Sequence, residues 1–163
     1  MAPAQTSLLA KLDTQERVRD FLTNAVASGR ASHAYLFLGA PGAGKLDAAW
    51  ALAQAFLCEQ DGCGSCDSCV RVARHTHPDV HYYTPESATG YLIAQTRELL
   101  DDVPLAPIRA KAKVYIIDRA EQLRANTANA LLKTLEEPPE GVMFILLGTS
   151  ADVMLSLIHI SEP

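Results

Sequence analysis

The feature that most limits what this chain can fold into is the glycine-rich stretch Gly39-Ala40-Pro41-Gly42-Ala43-Gly44-Lys45. It sits between the apolar run 34–38 and a segment patterned as a helix. Glycines let backbone N–H groups approach and cradle phosphates, and a lysine behind them reaches the outer phosphates. Such a loop works only where a buried strand ends and a helix begins. Gly39, Pro41, Gly42, Gly44 and Lys45 are therefore candidate nucleotide-binding residues.

The rest of the chain repeats the strand–helix alternation. Asp13 and Glu16 have the spacing of a helix cap, and Val18, Phe21, Leu22, Ala25 and Val26 then recur on one helical face up to Gly29. Ala49, Leu52, Ala53, Phe56 and Leu57 share a face after the glycine loop. A strand is expected at 79–83, closed by Pro85, and a helix at 91–102, ended by Pro104. A buried strand follows at 113–118. Ala128, Leu131, Leu132 and Leu135 mark a helix stopped by Pro138 and Pro139, and 143–147 forms a last apolar strand. Strands alternating with helices predict an α/β fold: a parallel sheet covered on both faces, in three layers.

All four cysteines, Cys58, Cys63, Cys66 and Cys69, fall in one knot of spacing C-x4-C-x2-C-x2-C behind the loop's helix. Four thiolates at short spacing suit a tetrahedral Zn2+ and leave no open position for chemistry, so the site reads as structural. An iron–sulfur cluster is the rival, but the fourth cysteine is followed by Val70 rather than proline. Disulfides would suit a secreted chain; residues 1–12 lack the basic lead and long apolar core of a signal peptide, and a reducing cytoplasmic setting is expected. His33, His75, His77 and His81 are read as structural.

At 163 residues and 48% hydrophobic content, the chain is sized for one domain. Its net charge of −5 gives no global positive field for nucleic acid, so contact with DNA would be local or made through partners. No apolar run approaches the ~20 residues that cross a bilayer. Arg109, Lys111 and Lys113 alternate before a strand, where a solvated edge is favoured over phosphate contact.

Two catalytic parts are missing from the loop's surroundings. Leu46 stands where a Ser or Thr hydroxyl ordinarily ligates Mg2+. Asp118 supplies the acid at the end of a later strand, but Arg119 follows where hydrolytic proteins of this class carry a glutamate. Loss of both would cost several kcal/mol of transition-state stabilisation, which leaves a tight turn or binding-only nucleotide site ahead of hydrolysis.

HAYLF-x-G-x-P-G-x-G-K, the four-cysteine insertion, THPDV at 76–80, KVYIID-x-AE at 113–121 and ANALLKTLEEPP at 128–139 together resemble the bacterial clamp-loader subunits of DNA polymerase III, an AAA+ family. The resemblance covers about residues 5–154. Leu46 and Arg119 make it more similar to the delta-prime branch than to the gamma/tau motors. It implies a zinc-bearing P-loop domain over 1–154, with the module at 58–69. It further implies a stator without catalysis of its own, partnered with gamma/tau and delta subunits and, through them, with the sliding clamp and primed DNA. An ATP-hydrolysing motor is the alternative, and a stand-alone P-loop kinase a more distant one.

The resemblance also assigns Thr149 as a sensor threonine; a plain strand-ending hydroxyl is the other reading. Glu136 and Glu137 are expected to be exposed. From Leu155 the chain reads LSLIHISEP, which is similar to a translated sequencing adapter; 155–163 are expected to be non-native, with the last strand and later domains missing. The strand 34–38 would then lie at an open sheet edge.

Overall fold

The computed structural model describes residues 8, 12, 16–40, 42–137 and 139–149. The elements run α1 (Glu16–Ala27), β1 (Ala34–Leu38), α2 (Lys45–Leu57), α3 (Asp67–Ala73), β2 (Val80–Tyr83), α4 (Ile93–Asp102), β3 (Lys113–Ile117), α5 (Ala125–Glu136) and β4 (Val142–Gly148). A single 3-10 turn, Ala120–Gln122, separates β3 from α5. The helix cap expected at Asp13, the stop at Pro138, the loop residue Pro41 and the tail 155–163 lie outside the described residues.

The four strands pair in parallel in the order β1-β4-β3-β2. Because side chains alternate along a strand, the two central strands feed two cores. Val114, Ile116, Met143 and Ile145 pack with Leu22, Ala49 and Leu52 on the α1–α2 face. Tyr115, Ile117 and Phe144 pack with Leu99 and Leu131 on the α4–α5 face. Strands covered on both sides read as unbroken apolar runs, which is why KVYII is buried at every position. The three-layer α/β expectation is what the structure shows. At one border of the described sheet lies β1, with Leu36 and Leu38 more than 40% exposed, at 42% and 41%.

Several local expectations are corrected. Helix α2 does not bury one face only: every residue from Ala48 to Ala55 is buried, because α1 and α3 pack on it as well as the sheet. The helix expected from Tyr91 begins at Ile93; the Gln95 carboxamide accepts from Leu92 N at 2.9 Å, and Tyr91 is buried before the helix. Lys113 is not on a solvated edge but only 2% exposed, its Nζ donating to the Asp102 carbonyl at the end of α4, where a cation is favoured. Arg109 does remain half exposed, and its guanidinium donates to Asp67 at 2.9 Å. Glu136 and Glu137 are exposed.

Candidate functional site

Two sites lie at opposite ends of α2. At its start, Gly42 and Gly44 take φ of 84° and 92°, a left-handed backbone that turns the chain out of β1 and costs other residues about 1–2 kcal/mol. Lys45 opens the helix, and its Nζ donates to the carbonyls of Gly39 (2.6 Å) and Gly148 (3.1 Å), tying the loop to the end of β4. A cleft of about 520 Å3 is bordered there by Gly42, Gly44, Lys45, Asp118, Arg119 and Thr149. Among the predicted nucleotide residues, the structure thus brings five, Gly42, Gly44, Lys45, Asp118 and Thr149, to one cleft; Gly39 stands behind it as an acceptor for Lys45.

The chemistry of the cleft is less complete than its outline. Leu46 packs its side chain against the α1–α2 core. Asp118 accepts the Tyr82 hydroxyl on Oδ2 at 2.8 Å and its neighbour's N–H, that of Arg119, on Oδ1 at 2.9 Å. Arg119 adopts φ 48° and ψ 53°, an uncommon conformation for a residue with a side chain. Thr149 Oγ1 lies 3.5 Å from Glu121 Oε1, at the outer limit of a hydrogen bond. Glu121, which the sequence reading passed over, also borders the cleft, and its Oε2 is buried with no hydrogen-bond partner among the described residues. Its only sequence signal was an acid three residues after Asp118.

At the far end of α2, Cys58 caps the helix, and Cys66 caps the seven-residue α3 by accepting from Cys69 N. The four sulfurs lie within 4.8 Å of one another; Cys58–Cys66 is 3.8 Å and Cys63–Cys69 is 4.0 Å. A tetrahedral ion bound to sulfurs at about 2.3 Å sets them about 3.8 Å apart, so the group can hold one metal ion. Backbone N–H groups of Gln60 and Cys63 point at Cys58 Sγ, at 3.3 and 3.4 Å, and that of Cys69 at Cys66 Sγ at 3.4 Å, stabilising thiolate charge. The Ser65 backbone and hydroxyl hold Cys63 down to about 6, whereas burial pushes Cys69 up.

The module is wired into the domain. Gln54, 1% exposed in mid-α2, donates to the Cys69 carbonyl at 2.9 Å and accepts from Leu8 N at 2.8 Å. Asp79 is fully buried, and its carboxylate accepts the N–H groups of Ile108, Arg109 and Ala110 at 2.6–2.7 Å. The histidines have structural partners, as expected. His77 Nδ1 accepts from Asp79 N, His75 stacks on Trp50 at 3.8 Å, and His81 pairs with Asp102. His33 Nε2 lies 3.1 Å from the Leu135 carbonyl.

The family model described as "DNA polymerase III, delta subunit" matches residues 14–160. The chain belongs to this family. It is 40% identical to DNA polymerase III subunit delta' of Bacillus subtilis (strain 168), over 90% of this chain and 45% of that protein. It is 43% identical to DNA polymerase III subunit tau of Escherichia coli (strain K12), over 83% of this chain and 21% of that one. The chain thus spans less than half the length of these relatives. Among solved structures, a DNA polymerase III gamma subunit-related protein from Thermotoga maritima shares the fold, with TM-score 0.59 at 20% identity over 86% of this chain and 42% of that one. No helix among the described residues is long and apolar enough to cross a membrane.

Proposed function

We propose that this chain is the P-loop AAA+ domain of a delta-prime-type clamp-loader subunit, a stator that braces a ring of gamma/tau motors and a delta subunit while the sliding clamp is placed on primed DNA. The observation that carries the reading is the cleft at the start of α2. Its loop and lysine are in place, but Leu46 offers no oxygen, Arg119 replaces the water-orienting acid, and Asp118 is engaged by Tyr82. Overall identity supports delta-prime and motor readings about equally, at 40% and 43%, so the delta-prime reading rests on the residues of the cleft. The domain comprises 1–154, and 155–163 are foreign to it, although the family match runs to residue 160; re-reading the source DNA across codon 155 tests that boundary.

Zinc is the metal this reading assigns to Cys58, Cys63, Cys66 and Cys69, since four thiolates with no open position make a structural site. Elemental analysis should find one zinc per chain; iron with visible absorbance would overturn the assignment. For the stator role, steady-state ATP hydrolysis by the chain should stay at background at high Mg2+. Magnesium-dependent turnover that Lys45→Ala abolishes would instead establish a motor.

A further inference from the structure

A divalent cation in a cleft of this kind needs an oxygen from the residue after the lysine and a carboxylate oxygen from the acid ending the later strand. The residues present do not fit it. The first position is Leu46, which borders the cleft, packs partly against the α1–α2 core and carries no oxygen in its side chain. At the second, the Tyr82 O–H proton points at Asp118 Oδ2 from 2.8 Å, and Arg119 N–H takes Oδ1. An approaching cation would meet the positive end of the phenol dipole, with the Arg119 and Lys45 side chains bordering the same cleft.

The phenol is not a passing contact. Tyr82 lies on β2, paired in register with Ile116 on β3, which sets its ring beside the end of the strand that carries Asp118. Its ring centroid is 6.0 Å from that of Trp50 on α2, and Trp50 is itself stacked on His75. Burial and the Asp118 carboxylate keep the phenol above its ordinary pKa, so it remains a donor throughout the neutral range. Meanwhile Asp47 and Glu121 border the cleft with Asp118, and Glu121 Oε2 has no hydrogen-bond partner among the described residues, so acids enough for a cation are close by.

We infer that Tyr82 is the residue that keeps a divalent cation off Asp118, a block separate from Leu46 and Arg119. Any phosphate taken up by the loop is then neutralised by the chain's own Lys45 and Arg119 and not by a metal. This rests on the reading of the loop as a site without turnover, but it is tested on the metal alone, so the two fail separately: turnover would overturn the stator reading, and metal affinity this one.

The probe is Tb3+, a hard cation that takes oxygen ligands and leaves thiolates. Its luminescence is sensitised by Trp50, which lies close to Tyr82. In the metal-loaded chain, Tyr82→Phe should raise Tb3+ affinity at least about tenfold over wild type, as loss of a hydrogen bond to a charged group implies. Adding Asp118→Asn to that variant should abolish the gain. Equal affinity in wild type and Tyr82→Phe overturns the inference, and so does a gain that survives Asp118→Asn. Native Trp50 emission certifies the fold, and Tyr82→Leu carries the same expectations should the phenylalanine chain lack it.

Discussion

One helix, α2, ends in two sites that have kept different things. At its C-terminal end lies a group that could hold a metal ion: four sulfurs gathered within 4.8 Å, amides aimed at them, and Gln54 and Asp79 tying the surroundings into the domain. At its N-terminal end the backbone turn is in place, with its left-handed glycines and a lysine bridging two strand ends, while Leu46 follows the lysine and Asp118 accepts from Tyr82 and Arg119. The contrast teaches that a loop's shape and its chemistry are separable. Shape is held by backbone geometry that the fold needs anyway; chemistry depends on a few side chains that nothing else in the fold requires.

The comparison implies that the cysteine end carries stability and the loop end carries little. The largest effect is expected for Cys66→Ser, which removes a ligand and its charge together and should cost more than about 3 kcal/mol, because the free energy of a bound structural metal is folding free energy. Thermal melts with and without chelator check this; a variant that melts with the wild type would place the stability elsewhere.

Next comes Asp79→Asn, expected to cost on the order of 2 kcal/mol at neutral pH through the three N–H groups it leaves poorly paired. Burial works to raise this carboxyl, but the amides of Ala110, Ile108 and Arg109, with His77, outweigh it and hold it below its ordinary value. A depressed carboxylate contributes stability in full above the unfolded value of about 3.9 and loses it as pH falls through the folded value. Urea melts should therefore show the gap between wild type and Asp79→Asn constant from pH 7 to about 5 and closing only in stronger acid; a gap closing near neutrality would contradict the assignment.

A smaller loss, about 1 kcal/mol, is expected for Gly42→Ala: φ is +84° but nothing lies within 4 Å of the added carbon. If it cost as much as Cys66→Ser, the loop end would be as structural as the cysteine end and the contrast would fail. The smallest effect is expected for Leu46→Thr, which should leave ATP turnover at background in a coupled assay, because Arg119 and the Tyr82–Asp118 pair persist.

What could be read from the sequence follows from how local each signal is. The strands of KVYII and VMFILLG declared themselves as unbroken apolar runs because both faces are covered. The cysteine spacing and the glycine loop are local motifs, and the structure gathers the four sulfurs and sets Gly42, Gly44 and Lys45 at one cleft. Helix α3 was not legible, since a seven-residue segment that starts inside the cysteine knot and runs past Cys69 becomes helical only around a Cys66 cap. Nor were the partnerships that complete the sites. Asp79 meets amides about 30 residues away and Tyr82 meets Asp118 36 residues away, pairings that only the parallel register creates. Lys113 was misjudged for the same reason: its alternation with Arg109 and Lys111 suggested solvent, but the end of α4 lies over it.

The most direct test is anomalous scattering from crystals of the zinc-loaded chain soaked with Mn2+ and ATP. The account predicts one zinc peak among Cys58, Cys63, Cys66 and Cys69 and no manganese peak at Asp118; manganese bound between Lys45 and Asp118 would contradict it.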